Sequence, residues 1–238
     1  MKFFTKAWYQ TMQNMGLGCL LEIDTEAEVF SETYYKRLYR EVKEKWLAER
    51  AHICDLLQEP FEADKEMHNF DRMCRIQKQY YMLNLPADIL EKIADIRVLV
   101  LNRCSKLVKE MIDAFADNCE KETVKVCEAY KEYEQAQFLE YQPKFLKNFV
   151  FHDSFVASLR KKGNDYHLVF EKAEQDEWLP QKLIFKNAII FQKEKQLAGA
   201  CWLYEEVHKT ESGYEICVLL DKNGLFDFSV KCDDVVLE

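Results

Sequence analysis

The hydrophobic period of the chain changes near residue 148, and this change constrains the fold more than any other feature of the sequence. Before it, apolar residues recur every three or four positions, which is the spacing of one face of an α-helix. After it, apolar and polar residues alternate, as in half-buried β-strands. The stretch 142–153 separates the two patterns. We therefore expect an α+β protein in which helices and strands are segregated along the chain.

The sequence before residue 148 predicts several helices joined by short connections. A short amphipathic helix is expected before the break at Gly16 and Gly18, and four longer helices are expected over 25–57, 64–83, 86–111 and about 119–138. The first long helix is expected to begin at the N-cap Asp24-Thr25, with Glu28 completing a capping box. Its apolar stripe runs from Phe30 to Trp46 at intervals of four, is continued by Ile53 and Leu57, and is expected to face the core. Short connections between long helices predict an antiparallel helical bundle domain over 1–147.

The sequence from residue 148 onward predicts an antiparallel β-meander of about six strands, forming a second domain over 148–238. The strands are expected within 149–159, 166–171, 182–191, 202–209, 214–221 and 226–233. Glycine-containing turn signals separate consecutive strands at Lys162-Gly163-Asn164-Asp165, Glu211-Ser212-Gly213 and Lys222-Asn223-Gly224. Parallel pairing would need long crossover connections, which are absent. Trp178-Leu179-Pro180 is expected to lie in a loop.

Composition excludes several classes of function. The net charge of −9 disfavours nucleic-acid binding, which depends on basic side chains that neutralise phosphates, but is compatible with a basic protein partner. No apolar run approaches the roughly 20 residues that cross a bilayer, so no membrane association is expected. The first eight residues do not resemble a secretory signal, and a cytoplasmic location is expected. The nine cysteines include no Cys-x-x-Cys pair, which predicts reduced thiols rather than a zinc site or disulfides.

Polar side chains of the strand region form the candidate functional cluster. Its members are His152, Asp153, Trp202, Tyr204, Glu205, Glu206, His208, Glu215, Asp233 and Asp234. Histidine and carboxylate groups that converge can bind a metal or act as general acid and base. The spacing of these residues does not require them to converge, and it predicts no metal site and identifies no cofactor.

Asp153 is the most informative member because of its position. It shares strand parity with Phe149, Phe151 and Phe155, so a regular strand would place its carboxylate among aromatic rings. Such a carboxylate must be paired or have its pKa raised. The favoured alternative is that a bulge or turn near His152 directs Asp153 outward.

Several short sequence motifs resemble those of a family of uncharacterised bacterial proteins, domain of unknown function 4085. These motifs are Phe151-His152-Asp153-Ser154, Gly163-Asn164-Asp165, Ile184-Phe185-Lys186-Asn187-Ala188, Trp202-Leu203-Tyr204-Glu205-Glu206, Gly213-Tyr214-Glu215 and Cys232-Asp233-Asp234-Val235. The opening residues 1–9 and the segment 94–99 are similar too. Cys201 departs from the family pattern, which tends to have an aromatic residue beside Trp202. The resemblance implies a bacterial cytoplasmic protein and supplies no catalytic residue, substrate or cofactor.

Two functions from different classes remain open. The leading hypothesis is a non-enzymatic module that binds a protein partner, of which an immunity-like role is one form. It rests on the acidic charge and on the absence of nucleotide-binding and hydrolase motifs. The alternative is a metal-dependent or small-molecule enzyme whose site uses the histidine and carboxylate residues of the β domain. A ligand-sensing bundle is a third possibility and would need an apolar pocket between helices.

Overall fold

The computed structural model describes residues 1–171 and 181–238, and it confirms the α+β class. Helices occupy the first part of the chain, and antiparallel sheets occupy the part after residue 155. The predicted loop Trp178-Leu179-Pro180 lies outside the described residues. Within the described ranges, no helix combines the length and apolar character that crossing a bilayer requires.

The chain divides into two compact units by its internal contacts. One unit contains 13–120, and the other contains 1–12 together with 121–238. The predicted domains 1–147 and 148–238 follow the change in secondary structure instead, and they stay a prediction.

The unit formed by 13–120 is mainly helical. The helices of the chain are α1 Lys6–Gln13, α2 Glu32–Leu57, α3 Ala63–Asn84, α4 Ala87–Leu90, α5 Ile96–Val100 and α6 Lys106–Gln137. The short strands β1 (Glu22–Ile23) and β2 (Arg103–Cys104) pair in parallel. Phe70 and Ile112 are fully buried in this unit, in separate clusters of apolar side chains. Long helices α2 and α3 contact each other as a hairpin.

The first long helix begins later than the sequence predicted. Asp24 does cap a helix by accepting a hydrogen bond from Glu26 N, but this is a short 3-10 helix, Thr25–Glu28. Ser31 caps α2 by accepting from Tyr34 N at 3.2 Å. Two capping residues close together divided the predicted helix, since each satisfies the orphan amides of its own helix.

The continuous helix predicted over 86–111 is wrong. The region contains α4, α5 and β2 before α6 begins at Lys106, which also moves the start of the last helix back from residue 119. Asp95 caps α5 through Arg97 N, Asn102 has a left-handed backbone (φ 61°), and Ser105 Oγ accepts from Val108 N. Apolar residues keep a helical spacing across this region because the short helices are buried on the same side. The spacing therefore did not reveal the interruptions between α4, α5 and α6.

The second unit contains two four-stranded antiparallel sheets. Their strands are β3 Val156–Lys162, β4 Asp165–Phe170, β5 Lys182–Lys186, β6 Ile189–Lys193, β7 Cys201–Thr210, β8 Gly213–Asp221, β9 Leu225–Cys232 and β10 Asp234–Leu237. The strand orders are β10-β5-β4-β3 and β6-β9-β8-β7. Side chains from both sheets share one apolar core, which includes Phe185 of β5 and Phe228 of β9. The three predicted turns lie between β3 and β4, β7 and β8, and β8 and β9.

The single meander of about six strands is therefore replaced by eight strands in two sheets among the described residues. The predicted strand 182–191 is two strands, β5 and β6, which turn at Asn187 (φ 48°) and enter different sheets. The predicted strand 149–159 begins only at Val156, after a 3-10 helix, Lys144–Asn148. A left-handed residue such as Asn187 is a turn signal that the apolar run 182–191 concealed.

Candidate functional site

Glu206 lies at the centre of the predicted cluster, on the edge strand β7. Its carboxylate accepts hydrogen bonds from the backbone N–H groups of Lys2, Phe3 and Phe4 at 2.7–3.1 Å. The residue is fully buried (0% exposed). Burial by itself raises the pKa of Glu206, but the hydrogen bonds from His208 and these amides outweigh it and lower the pKa. Glu206 is therefore a buried anion at neutral pH.

His208 is the counterion of Glu206, and it lies two residues further along the same face of β7. Its Nε2 is 3.1 Å from Glu206 Oε2, and its Nδ1 is 3.0 Å from the Tyr133 hydroxyl. The Cys217 side chain, the Glu206 carboxylate and the Tyr133 hydroxyl raise the pKa of His208 to about 10, against the opposing effect of burial. The imidazole is therefore protonated at neutral pH and donates through both ring nitrogens.

Aromatic rings enclose the segment that binds Glu206. Phe3 packs 5.2 Å from Tyr133 between ring centroids, and Phe4 packs 4.7 Å from Trp8 and 5.5 Å from Tyr204. Tyr204 also lies 4.8 Å from Trp8, edge to face. These contacts fix Phe3 and Phe4 against the sheet and hold their amides in the orientation that Glu206 requires.

Glu205 occupies the opposite face of β7 from Glu206. A β-bulge between Trp202 and Tyr204 shifts the alternation by one residue, so that Trp202 shares the inner face with Glu205 and Val207. Glu205 Oε2 accepts from Trp202 Nε1 at 2.7 Å. Burial, and to a lesser degree the charge of Glu134, raises the pKa of Glu205 to about 7. The carboxyl group is therefore partly protonated at neutral pH.

We expect Glu205→Gln to remove one component of the pH dependence of stability. Because the pKa of the wild-type carboxyl is higher in the folded state than in the unfolded state, its contribution is present below about pH 4.5 and is lost as the pH rises through 7. The variant should therefore gain about 1–3 kcal/mol relative to wild type between pH 5 and pH 8, allowing for partial hydration of this half-buried group. Urea unfolding at a series of pH values measures this difference, and a difference that does not change with pH would contradict it.

His152 and Asp153 lie on an exposed turn that leads to β3. Asp153 has a left-handed backbone (φ 65°), and its side chain is 75% exposed, as the turn interpretation predicted. His152 Nδ1 is 2.9 Å from Asp153 Oδ2, and the His152 ring lies 4.9 Å from the Tyr204 ring between centroids. The pair therefore borders the aromatic cluster through Tyr204 and makes no hydrogen bond to Glu206 or His208.

The remaining carboxylates of the predicted cluster have partners of their own. Glu215 lies opposite His208 in the β7–β8 ladder, but its carboxylate pairs with Lys231 at 3.4 Å. Asp233 accepts from Asn187 Nδ2 at 2.8 Å, and Asp234 accepts from Val235 N. Both belong to the junction of β9 and β10. The structure thus brings Tyr204, Glu206 and His208 together, places Trp202 and Glu205 behind them, and leaves Asp233 and Asp234 apart.

The arrangement of ionisable groups limits what the cluster can do chemically. Among residues 1–171 and 181–238, no group of three or more His, Cys, Asp and Glu side chains is arranged to hold a metal ion. Cys201 follows the same turn, but burial and the charges of Asp153 and Asp221 raise the pKa of its thiol, which disfavours a nucleophilic thiolate. Glu206 and His208 neutralise each other and stabilise the fold of the opening segment.

The sequence did not predict the partners that complete the hydrogen-bond network around Glu206 and His208. The amides of residues 2–4 lie about 200 positions from Glu206 along the chain, and backbone groups leave no side-chain signal. Tyr130 and Tyr133 of α6 are two further partners: the Tyr130 hydroxyl accepts from Val207 N at 2.9 Å, and Tyr133 contacts His208. Their spacing of three residues places them on one helical face, which is the only sequence signal of this role.

The fold and this hydrogen-bond network define an α+β protein in which the amides of residues 2–4 and neighbouring aromatic rings surround the Glu206 carboxylate. Residues 3–229 match the model of the family described as "Protein of unknown function (DUF4085)", so the chain belongs to this family, as the resemblance predicted. No curated protein matches the sequence.

Proposed function

We propose that the chain is a non-enzymatic module that binds a basic protein partner. The observation that carries this proposal is an exposed apolar surface at the end of the α2–α3 hairpin. It comprises Ile53, Leu56 and Leu57 at the end of α2 and Phe61 in the connection, and is called the hairpin tip below. Leu56 and Leu57 are 68% and 62% exposed. Contiguous exposed apolar residues with a polar rim are typical of protein interaction sites.

The hairpin tip continues the apolar stripe of α2 beyond the part that the unit buries. Tyr34 and Leu38 of this stripe are buried, whereas Ile53 and Leu57 are exposed. Positions 53, 56 and 57 lie on one face of the helix because they are three and four residues apart. The first part of the stripe is therefore buried in the helical unit, and its last part is exposed and accessible to a partner.

The charge around the hairpin tip indicates the chemistry of the partner. The segment 49–66 contains six acidic and two basic residues. The exposed carboxylates are those of Glu49, Asp55, Glu59, Glu62 and Asp64. An apolar centre with an acidic rim is complementary to an amphipathic segment that has an apolar face and flanking lysine or arginine residues. The same charge disfavours pairing with a second copy of this chain. An immunity-like complex with a basic protein would be one instance.

The enzymatic alternative has less support from the side-chain geometry. The Glu206 carboxylate is bound by the amides of residues 2–4 and by His208, so a substrate would have to displace those bonds. The His152–Asp153 pair lies on an exposed turn rather than in a closed cleft. A general acid or base needs access to a substrate proton, which favours the binding role over catalysis here.

The proposal is tested by the double variant Leu56→Asp/Leu57→Asp. Tagged wild-type and variant proteins are used to capture partners from the cells that encode the chain, and captured proteins are quantified by mass spectrometry. We expect a basic partner whose recovery falls about tenfold or more with the variant, since buried apolar anchors dominate binding energy. Recovery should also fall as salt is raised, because the acidic rim contributes to association.

Leu83→Asp is the matched control, because Leu83 is 80% exposed at the other end of α3. This variant should capture the partner as wild type does, and all variants should keep the wild-type melting temperature, since surface changes seldom alter stability by more than about 0.5 kcal/mol. Equal recovery with the tip variant would overturn the proposal. So would an acidic partner, or a dimer of the chain that Leu56→Asp/Leu57→Asp abolishes.

A further inference from the structure

A cleft between α2, α3 and α5 has the features of a small-molecule site. Its volume is about 310 Å³, at the lower end of the range of about 300–1,000 Å³ typical of ligand pockets. Its lining includes Tyr35 and Tyr39 of α2, Cys74, Arg75 and Lys78 of α3, and Arg97 of α5. Val100 and Leu101, both buried, complete it with apolar surface. We call this the three-helix cleft.

The aromatic side of the three-helix cleft is held in place by a network of charges. The Arg97 guanidinium lies 4.1 Å from the centroid of the Tyr35 ring. Arg97 is itself fixed by hydrogen bonds to Asp95 at 2.8–3.1 Å and to Glu32 at 2.7 Å. Tyr39 donates its hydroxyl to Asp71. The cleft therefore presents aromatic rings whose orientation is set before any ligand arrives, which lowers the entropic cost of binding.

The cationic side of the three-helix cleft consists of Arg75 and Lys78 of α3. Arg75 and Lys78 are exposed, and they make no hydrogen bond or ion pair with any residue that the structure describes. Among the described residues that line the cleft, Asp71 supplies the one carboxylate. It accepts from the Tyr39 hydroxyl and lies 3.3 Å from Lys43 Nζ, and the charge of Arg75 adds only a smaller effect that lowers its pKa. Two cations without a hydrogen bond or ion pair, beside fixed aromatic rings, are unusual in a chain of net charge −9. They favour an anionic ligand.

A second cleft of the same unit provides a comparison. It has a similar volume, about 340 Å³, and is lined by residues that include Leu20, Met73, Gln77 and Tyr80. None of its lining residues is charged. The combination of rings and cations therefore distinguishes the three-helix cleft from this second cleft.

We propose that the three-helix cleft binds a small aromatic molecule that carries a carboxylate or a phosphate group. The ring of the ligand packs against Tyr35 and the apolar surface of Val100 and Leu101. Its anionic group pairs with Arg75 and Lys78, three residues apart on one face of α3. This site is separate from the hairpin tip and does not depend on it.

Calorimetric titration of the full chain with four probes tests this proposal. The probes are 2-naphthoate, 2-naphthyl phosphate, 2-naphthalenemethanol and inorganic phosphate. We expect binding of at least one naphthyl anion, with much weaker binding of the uncharged alcohol and of phosphate alone. Preference between the two anions identifies the group that the cations recognise. If neither naphthyl anion binds, or if the alcohol binds as tightly as the anions, the proposal is wrong.

Variants of α3 assign the binding to this cleft. Arg75→Gln and Lys78→Gln should each weaken anion binding about tenfold, the loss expected for one charge-assisted hydrogen bond. Arg72→Gln is the matched control, because Arg72 is exposed on the same helix but does not line the cleft. Arg72→Gln should bind as wild type does. Equal losses in all three variants would indicate general electrostatic attraction and would overturn the proposal.

Alkylation of Cys74 gives a second readout that does not depend on affinity. Cys74 lines the cleft and is partly exposed, whereas Cys19 is exposed outside it. At a saturating concentration of 2-naphthoate or 2-naphthyl phosphate, whichever binds, N-ethylmaleimide should label Cys74 more slowly, with Cys19 unchanged. Peptide mass spectrometry measures both rates. Binding without protection of Cys74 would place the ligand elsewhere and contradict the assignment.

Discussion

Replacing Glu206 by glutamine should lower the free energy of unfolding of the strand-containing unit by about 3–5 kcal/mol, the range for removing one partner of a buried ion pair. The change leaves the His208 imidazolium without a counterion, and an amide NH₂ group then faces the N–H groups of residues 2–4. Urea unfolding followed by tryptophan fluorescence in a Trp46→Phe background measures it, because the remaining tryptophans lie in 1–12 and 121–238.

Glu215→Gln is the control for this prediction. Glu215 lies on the neighbouring strand and pairs with Lys231, but the lysine is exposed and the pair should contribute no more than about 1 kcal/mol. A loss for Glu206→Gln no larger than for Glu215→Gln would show that the network does not stabilise the fold.

The pH dependence of the same variant provides a separate check. The lowered pKa of Glu206 means that its contribution is present above about pH 4.5 and is lost as the pH falls. The raised pKa of His208 means that its contribution is present below about pH 6.5 and is lost as the pH rises through 10. The difference between wild type and Glu206→Gln should therefore be largest between about pH 4.5 and 6.5 and should shrink on both sides.

Phe228→Ala should destabilise the same unit by about 3–5 kcal/mol, as for other large aromatic side chains removed from a core. Phe228 of β9 is fully buried, and its ring lies 6.4 Å from that of Phe185 on β5 between centroids. The substitution leaves a cavity in the core that both sheets share. Hydrogen exchange of the β5 and β9 amides, together with urea unfolding, measures the effect on each sheet.

Phe191→Ala is the matched control, since Phe191 of β6 is 49% exposed. It should cost less than about 1 kcal/mol because little buried surface is lost. Faster exchange in β9 but not in β5 after Phe228→Ala would contradict a core shared by the two sheets.

The stripe of α2 illustrates how far the sequence alone could go. Spacing at intervals of four correctly predicted one long helix and its inward face at Tyr34 and Leu38. Spacing did not predict where burial would end, and Ile53 and Leu57 are exposed. A helix repeats its face along its whole length, whereas burial depends on whether another element covers that face.

Turn chemistry was the second part of the fold that the sequence predicted well. The glycine-containing hairpin turns and the outward turn at Asp153 follow from local backbone preferences, which act within a few residues. The break at Asn187 and the interruptions at Asp95, Asn102 and Ser105 were missed, because apolar residues on both sides continued the expected period. At these positions the capping and turn residues indicate an end, whereas the apolar periodicity indicates continuation. The capping and turn residues are the better guide to where a helix or strand ends.

The sequence by itself determined the segregation of helices from strands, most of the inward faces and the turns, because these depend on neighbours within about four residues. Only the tertiary structure decided that two sheets share one core, that Glu206 binds the amides of residues 2–4, and that Tyr35, Arg75 and Lys78 line one cleft. These contacts join residues far apart in the chain, so their energy depends on packing and desolvation that no local pattern encodes.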